Sequence, residues 1–351
     1  MVTYWDSLAY CLEGIVVKLL KDSDASLESL TGKTVVVLGY GNQGRAQALN
    51  LRDSGVRVIV GNREDEYRDT AVADGFEPLA ISAAAAEGDV LLILTTDESQ
   101  PVIWEEQILP GLEAGNTLVW ASGYNVGYGL IEPPANCDVV MVAPRMTGNM
   151  VRELFEQGTG AVAQFSVHQD ATGRAREITL GLCKGMGLTR SGVFESSFRE
   201  EAELDLFAEQ VIWAGLTAWF LECFEIGVEN GFSPELMVLE LYASGEAAEI
   251  MKHMSSNGFF RQMANHSTTS QYGTLSRGPR LINEEMRQKA RQLFREDVRE
   301  GNFVKEWSAE QAAGSAELEK LKEQALQHPM SRCEKSVIEA IQGAQSSPKA
   351  E

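Results

Sequence analysis

The stretch TVVVLGYGNQG, residues 34–44, carries the strongest structural signal in the chain. A run of β-branched and apolar residues, Thr34–Leu38, passes directly into the pattern Gly39-x-Gly41-x-x-Gly44, and a helical segment follows. In a βαβ unit the first glycine allows a tight turn, the second lets the backbone approach a pyrophosphate, and the third allows close helix–strand packing. The stretch therefore predicts a dinucleotide-binding site at the head of an α/β domain.

Further short apolar runs alternate with amphipathic segments up to about residue 165, which is typical of a doubly wound parallel sheet. Long helical stretches follow from about residue 207 onward. The predicted strands are Thr34–Leu38, Val56–Val60, Val90–Leu94, Thr117–Ala121, Asp138–Ala143 and Gly160–Phe165, and the predicted helices are Phe207–Gly227, Ser233–Met254, Asn283–Glu300 and Ala309–Gln327. We predict an N-terminal helical extension (1–30), a Rossmann domain (31–195), an all-α domain (196–342) and a disordered tail (343–351).

Composition excludes several classes of partner. The 351 residues carry a formal net charge of −21, which repels nucleic-acid phosphates and anionic lipids, so we expect neither nucleic acid nor membrane partners. No uninterrupted apolar run reaches the roughly 18 residues of a membrane span, and the N-terminal sequence lacks a signal or transit pattern. Five scattered cysteines without a CxxC pair favour reduced thiols. We therefore expect a cytoplasmic protein.

The end of the second predicted strand bears on the choice of nicotinamide cofactor. The acid that would bind the ribose 2′-hydroxyl of NAD is missing from this strand tip, and Arg63 suits the 2′-phosphate of NADPH instead. Glu64, Asp65 and Glu66 follow at once and would repel that phosphate. The sequence favours NADPH and leaves NADH open. The other cofactor contacts that we expect are Tyr40, Asn42, Gln43, Asn62, Thr95, Asp97 and Gly123.

An acidic segment near residue 205 is a candidate metal site. Asp205 and Glu209 are one α-helical turn apart and flanked by apolar residues. Carboxylates that face a core are costly unless they bind a cation, and Mg²⁺ prefers such oxygen ligands. A solvated helix face accounts for the same pattern equally well in so acidic a chain.

From about residue 21 to 341 the sequence resembles a ketol-acid reductoisomerase of the short class, from branched-chain amino-acid biosynthesis. The matching segments are LGYGNQGRAQALNLRDSGV, VVMVAP, VHQDATG, FESSFREEAELDLFAEQ, QYGTLSRGPR and FVKEW. The resemblance implies a Rossmann domain, a knotted helical domain, and a homodimer with active sites between its subunits. It also implies a Mg²⁺-dependent alkyl migration in a 2-acetohydroxy acid, a small-molecule carboxylate substrate, followed by hydride reduction with NADPH.

The resemblance assigns roles to individual residues. Asp205 matches the aspartate that bridges two Mg²⁺ ions, and Glu209 matches the glutamate on one of them. Glu240 matches a glutamate that the partner subunit contributes to the second metal, and Ser267 matches a serine that contacts the substrate.

Three positions depart from the family pattern. The strand-tip motif His-Gly-Phe-Asn is here Ser122-Gly-Tyr-Asn, so a histidine that could relay protons becomes a hydroxyl. Arg145 replaces a lysine that meets metal-bound waters. Ser244 stands where a second metal-binding glutamate is expected, and Glu246 could replace it only if the helix carries an insertion or bulge.

These departures converge on the isomerisation half of the reaction, so the favoured hypothesis is a reductase that has lost isomerisation. It would reduce a C=N group of a cyclic imino acid, or a C=O group, beside a carboxylate. Ser122 would hydrogen-bond the substrate, Arg145 would pair with its carboxylate, and Asp205 and Glu209 would hold one Mg²⁺ or protonate an imine. The alternatives are a genuine ketol-acid reductoisomerase that uses Glu246 and a non-catalytic dinucleotide-binding regulator. His253 and His266 are further candidates for a replacement proton donor.

Overall fold

A computed structural model describes residues 18–346 and the side-chain burial of residues 18–343. Within them the chain forms two compact units, residues 18–205 and 206–346. The division falls inside the helix that follows the predicted domain boundary. Most of the predicted N-terminal extension and the last five residues of the predicted tail lie outside the described residues.

The first unit contains an eight-stranded sheet in the order β1-β8-β7-β6-β5-β4-β2-β3. The strands are β1 (Leu19–Leu20), β2 (Thr34–Leu38), β3 (Arg57–Gly61), β4 (Val90–Ile93), β5 (Thr117–Trp120), β6 (Asp138–Pro144), β7 (Ala163–Gln169) and β8 (Val193–Glu195). Strands β3, β2, β4, β5 and β6 are mutually parallel. The predicted Rossmann fold class is confirmed.

Strand β2 shows why the glycine motif follows an unbroken apolar run. Val35 and Val37 point into one hydrophobic core, and Val36 and Leu38 point into a second core on the other face of the sheet. All four side chains are fully buried, because helices cover both faces of the parallel sheet.

Two features of the sheet differ from the prediction. Strand β7 runs antiparallel to β6, and the short strands β1 and β8 beyond β7 were not predicted. After β6, the helix Gly148–Glu156 packs against the helix Asn42–Asp53. The next strand, β7, therefore begins beside the end of β6 and runs back along it. That long-range packing cannot be predicted from the local pattern of apolar and polar residues. Strands β1 and β8 are only two and three residues long, too short for an alternation pattern.

Helices and turns complete the first unit. The α-helices are α1 (Asn42–Asp53), α2 (Glu66–Ala73), α3 (Ile81–Ala85), α4 (Gln100–Ile103), α5 (Tyr124–Gly127), α6 (Gly148–Glu156), α7 (Ala175–Gly185) and α8 (Phe198–Phe207), with a π-helical segment at Trp104–Ile108 and 3₁₀ turns at Asp22–Asp24, Leu27–Leu30, Leu109–Gly111 and Leu188–Arg190. The described part of the predicted helical extension, residues 18–30, therefore forms strand β1 and two 3₁₀ turns. Its Asp and Ser residues favour turns over helix interiors.

The second unit is helical, as predicted. Its α-helices are α9 (Ala214–Glu229), α10 (Pro234–Val238), α11 (Glu246–Asn257), α12 (Thr268–Leu281), α13 (Glu284–Leu293), α14 (Asn302–Ala312), α15 (Ala316–Gln327) and α16 (Pro329–Ser346), with π-helical segments at Ala208–Trp213, Leu239–Ala243 and Phe294–Arg299 and a 3₁₀ turn at Arg261–Asn265. Helix α16 runs four residues into the predicted tail.

One helical stretch among the described residues, Phe198–Glu229, has the length and mean hydropathy (1.5) of a membrane span, by length and composition only. Only 11% of its apolar window is buried within the chain. The search for an uninterrupted apolar run missed this stretch because acids such as Glu209 and Glu222 interrupt it.

Candidate active site

The glycine motif forms the turn that the sequence predicts. Gly39 has a φ of +96°, and a Cβ atom there would lie 2.8 Å from the backbone nitrogen of Thr95. A Cβ atom on Gly44 would collide with the carbonyl oxygen of Gly39, whereas one on Gly41 would meet no protein atom within 4 Å. The first and third glycines are thus required by protein packing, and the space beside the second is open. Helix α1 begins directly after Gly41.

Four of the predicted cofactor residues also hold the loop in place. The Tyr40 backbone N–H donates to Asn62 Oδ1 at 2.9 Å, and the Tyr40 hydroxyl donates to Asp74 at 3.0 Å. Gln43 Nε2 donates to the carbonyl oxygen of Met146 at 2.8 Å, and Asn42 Oδ1 accepts from the Gly148 N–H. The segment after β6 is therefore fixed to the glycine loop.

Arg63 lies on the surface beside the loop, with 77% of its side chain exposed, and its Nε donates to Asp65 Oδ2 at 2.6 Å. Asp65 also caps helix α2 by accepting from the N–H groups of Tyr67 and Arg68. Burial acts to raise the pKa of Asp65, but these hydrogen bonds outweigh it and lower that pKa. The predicted phosphate ligand is thus already neutralised by a neighbouring carboxylate.

Among the described residues, several buried polar atoms at the ends of β4 and β5 lack hydrogen-bond partners. They include Thr95 Oγ1 and Asn125 Oδ1. The Asn125 amide nitrogen is satisfied by Asp97 O at 3.0 Å and Gln100 Oε1 at 2.9 Å, so the orphaned oxygen faces a position with no protein donor. Buried polar groups are normally paired. Together with the open space at Gly41, these atoms fit a nicotinamide dinucleotide laid across the carboxyl ends of the strands. Sequence analysis did not select Asn125.

Ser122 and Gly123 lie at the tip of β5. Ser122 Oγ accepts from the Tyr124 N–H at 3.2 Å, so the hydroxyl that replaces the family histidine supports the local turn. A Cβ atom on Gly123 would collide with the carbonyl oxygen of Phe198. The Gly123 N–H donates to Glu201 Oε2 at 2.6 Å. The strand tip is therefore packed tightly against the start of helix α8.

Arg145 connects two carboxylates of that helix. Its Nη1 donates to Glu201 Oε1 at 2.7 Å and its Nη2 donates to Asp205 Oδ1 at 2.6 Å. The Glu201 side chain is only 2% exposed, and that of Asp205 is 41% exposed. Burial raises the pKa of Glu201 to about 7, against the lowering effects of the Gly123 hydrogen bond and of Arg145. Arg145 thus neutralises a partly buried pair of acids.

Glu201 is the main residue that sequence analysis missed. It precedes Asp205 by four residues, the same spacing that drew attention to Asp205 and Glu209. The α-helical period on which that argument rested ends at Phe207, and Glu209 lies in the π-helical segment Ala208–Trp213.

In the helical unit, a break in one helix separates two of the predicted site residues, Glu240 and Glu246. The π-helical segment Leu239–Ala243 ends at Ser244, Gly245 adopts a φ of +84°, and helix α11 restarts at Glu246. Glu240 and Glu246 line one cavity of about 530 Å³. Ser267 caps helix α12 by accepting from the Ser270 N–H at 3.2 Å. The bulge that Glu246 requires to replace a glutamate at position 244 is thus present.

The four predicted metal ligands do not form a complete cage within one chain. Among residues 18–346, no three Asp, Glu, His or Cys side chains converge as a metal site. Asp205 and Glu209 belong to different units from each other, and Glu240 and Glu246 both lie in the helical unit. All four supply the hard oxygen donors that Mg²⁺ prefers, so the donor chemistry fits the ion although a single chain does not complete its shell.

Two family matches cover almost the whole chain. Residues 29–192 match the family described as "Acetohydroxy acid isomeroreductase, NADPH-binding domain", and residues 198–342 match "Ketol-acid reductoisomerase, C-terminal domain". The chain belongs to the ketol-acid reductoisomerase family. It is therefore an enzyme of the nicotinamide-dependent oxidoreductase class, and the predicted pairing of NADPH with Mg²⁺ agrees with the cofactors of the family.

Individual relatives of this family place the chain more closely. It is 45% identical over 315 residues to the ketol-acid reductoisomerase (NADP(+)) of Pyrobaculum islandicum, covering 89% of this chain and 94% of the relative. It is 44% identical over 317 residues to that of Methanopyrus kandleri, covering 90% and 95%. The solved structure of an NADH-preferring ketol-acid reductoisomerase from an uncultured archaean superimposes with a TM-score of 0.87 at 35% identity, covering 94% of this chain and all of the other.

These similarities overturn the favoured hypothesis. The prediction that isomerisation has been lost, leaving an imine or ketone reductase, is wrong, because relatives at about 45% identity over nine-tenths of the chain are ketol-acid reductoisomerases. The error came from treating Ser122, Arg145 and Ser244 as losses. The structure gives Arg145 two carboxylate partners and sets Glu246 beside Glu240, and neither arrangement is visible in the linear sequence.

Proposed function

We propose that the protein is a ketol-acid reductoisomerase that converts 2-acetohydroxy acids into 2,3-dihydroxy acids with NADPH and Mg²⁺. The observation that carries the proposal is the 45% identity to an NADP(+)-dependent ketol-acid reductoisomerase across 89% of the chain. The helix break that sets Glu246 on the same cavity as Glu240 supports it, because it supplies a carboxylate in place of the one missing at Ser244.

In this proposal Asp205 and Glu209 of one subunit and Glu240 and Glu246 of the other hold Mg²⁺. Mg²⁺ held by these carboxylates would supply Lewis-acid chemistry at the substrate oxygens. The protein residues do the positioning: Ser267 hydrogen-bonds the substrate, and Ser122 and Gly123 form the strand tip against which it lies. Arg145 fixes the Glu201 and Asp205 side chains through its two hydrogen bonds, which orients Asp205 as an oxygen donor.

Gly41 and the N-terminus of helix α1 would hold the pyrophosphate of NADPH at the glycine loop. Thr95 Oγ1 and Asn125 Oδ1 provide partners at the nicotinamide end. Arg63 is the ligand of the 2′-phosphate, and its ion pair with Asp65 weakens the preference for NADPH over NADH.

A homodimer accounts for the poor burial of the long apolar helix within one chain. Exposed apolar side chains on α9 and the segments beside it include Ile212, Trp213, Trp219, Leu221 and Ile226. Large exposed apolar surfaces mark interaction sites, and a second copy of the helical unit supplies a matching apolar surface. We place this dimer in the cytoplasm.

The deciding experiment follows NADPH oxidation by the purified protein with 2-acetolactate. We expect turnover that requires Mg²⁺ and is abolished by EDTA, together with complementation of a strain auxotrophic for valine and isoleucine. Oxidation of NADPH with a cyclic imino acid but not with 2-acetolactate would contradict the proposal. Size-exclusion chromatography with light scattering tests the dimer independently.

A further inference from the structure

The cavity of the helical unit contains an imidazole as well as two carboxylates. Its lining includes Glu240, Glu246 and His266, and His266 directly precedes Ser267. All four histidines of the chain lie within residues 18–346, and His266 is the one that lines this cavity.

Neighbouring side chains fix the His266 ring. Its Nε2 lies 2.9 Å from Oε1 of Gln262, which is itself 5% exposed. The Gln271 side chain donates to the backbone carbonyl oxygen of His266 at 2.8 Å. Because Gln262 Oε1 accepts a hydrogen bond, Nε2 carries the ring proton and Nδ1 keeps its lone pair. The ring is therefore held in a tautomer that can accept a proton.

The other three histidines contact side chains that do not line this cavity. His253 pairs with Glu249 at 3.3 Å and is 40% exposed, His328 pairs with Glu225 at 3.1 Å, and His168 packs against Phe198 in the first unit. The structure thus separates the two candidates that the sequence left equal, His253 and His266.

The residues that depart from the family pattern at the strand tip do not carry protons, and the neighbouring Glu201 is buried with both carboxylate oxygens hydrogen-bonded. The Ser122 hydroxyl accepts from the Tyr124 N–H, and the Arg145 guanidinium is bound to two carboxylates and does not deprotonate at neutral pH. Alkyl migration nevertheless needs one proton to move. The C2 hydroxyl loses it as C2 becomes a carbonyl carbon, the alkyl group carries its electron pair from C2 to C3, and the C3 oxygen gains a proton to become a hydroxyl.

We propose that His266 is the catalytic residue that moves this proton, accepting it from the C2 hydroxyl and returning it to the C3 oxygen. The inference rests on the proposed function, which brings the helical cavity of one subunit to the strand tip of the other. The proton balance of the migration step is closed, because His266 has the same protonation state before and after it. In this proposal an imidazole still serves the reaction, but it belongs to the helical unit and not to the strand tip.

The test compares His266→Gln with the matched control His253→Gln in two assays. One starts from 2-acetolactate and requires migration, and the other starts from 3-hydroxy-3-methyl-2-oxobutanoate and requires only reduction. We expect His266→Gln to lower kcat in the first assay by about 100-fold, the size of a typical general acid–base contribution, and to change the second by less than about 3-fold. His253→Gln should match the wild type in both. Adding Ser122→His to His266→Gln should recover part of the loss.

Equal activity of His266→Gln and wild type with 2-acetolactate would overturn the inference. Equal losses in both assays would also overturn it, because they indicate a structural role. If the wild type does not turn over 2-acetolactate, the proposed function fails by itself. Imidazole NMR with Mg²⁺ and 2,3-dihydroxy-3-methylbutanoate then decides the role of His266: a shift of its resonance but not of the His253 resonance supports contact with the ligand, and no shift refutes it.

Discussion

Arg145 and Glu201 form an ion pair at 2.7 Å in which the carboxylate is almost completely buried. The other end of the same guanidinium binds Asp205 at 2.6 Å, so a single side chain from the end of β6 fixes two acids one helical turn apart on α8. A lysine carries one ammonium group and cannot bind both acids with this forked geometry. The arginine therefore holds Glu201 and Asp205 together in a way that a lysine cannot.

Replacing Arg145 with Gln should destabilise the protein by about 2 kcal/mol, because Glu201 is left buried without its cation. Arg145→Lys should recover about half of that loss. The measurement is urea unfolding in the absence of Mg²⁺. Arg176→Gln is the matched control, since Arg176 forms an exposed ion pair with Glu195 in the same unit and its loss should cost less than about 1 kcal/mol. Equal effects of Arg145→Gln and Arg176→Gln would refute the assignment.

Glu201 should make stability depend on pH. Burial raises its folded-state pKa from 4.5 to about 7, so the folded protein binds this proton more tightly than the unfolded chain. The stabilisation is complete below pH 4.5 and is lost as the pH rises to about 7. Glu201→Gln cannot ionise, and its stability relative to wild type should rise by about 2 kcal/mol across that range. Unfolding curves that stay parallel at every pH would contradict this prediction.

Alanine variants of the glycine motif should separate an effect on folding from an effect on cofactor binding. Gly44→Ala should lower the melting temperature strongly, because its Cβ collides with the carbonyl oxygen of Gly39. Gly41 has a φ of −73° and open space around it, so Gly41→Ala should fold normally yet weaken NADPH binding by tenfold or more, as its methyl group enters the space for the pyrophosphate. Calorimetry and NADPH titration measure the two effects. Unchanged NADPH affinity in Gly41→Ala would place the pyrophosphate elsewhere.

Asp65 should limit the preference for NADPH. Asp65→Asn keeps an oxygen to cap α2 but removes the charge that neutralises Arg63 and repels a phosphate. The ratio of kcat/KM for NADPH to that for NADH should rise by about 5-fold, corresponding to about 1 kcal/mol. Glu64→Gln is the control, because Glu64 is exposed and pairs with Arg68 instead. A ratio that does not change in Asp65→Asn would remove Asp65 from cofactor selection.

Glu246 should be required for Mg²⁺ binding. Glu246→Gln removes one anionic ligand and should weaken Mg²⁺ by about tenfold or more in isothermal titration of the NADPH-bound protein. Glu249→Gln, one turn along α11, removes an exposed acid that pairs with Lys252 and His253, and its Mg²⁺ affinity should remain that of the wild type. Equal affinities for both variants would show that the bulge at Gly245 does not restore the missing ligand.

Features of this protein that depend on local chemistry can be predicted from the amino-acid sequence alone. An apolar strand that is buried on both faces must read as an unbroken apolar run, and the glycine positions follow from the turn at Gly39 and the packing of Gly44. Residue matches along the chain likewise gave the correct family. Each of these features depends on a few consecutive residues and can therefore be predicted from the sequence.

Tertiary structure decided what the altered residues do. Arg145 meets Glu201 across 56 positions of sequence, and the antiparallel return of β7 follows from the packing of α6 against α1. Glu246 lines the same cavity as Glu240 after a helix break at Gly245, and His266 differs from His253 in what surrounds each ring. Such contacts arise from long-range packing, which no local pattern encodes, and for that reason the partners of Arg145 and the surroundings of Glu246 could not be predicted from the sequence.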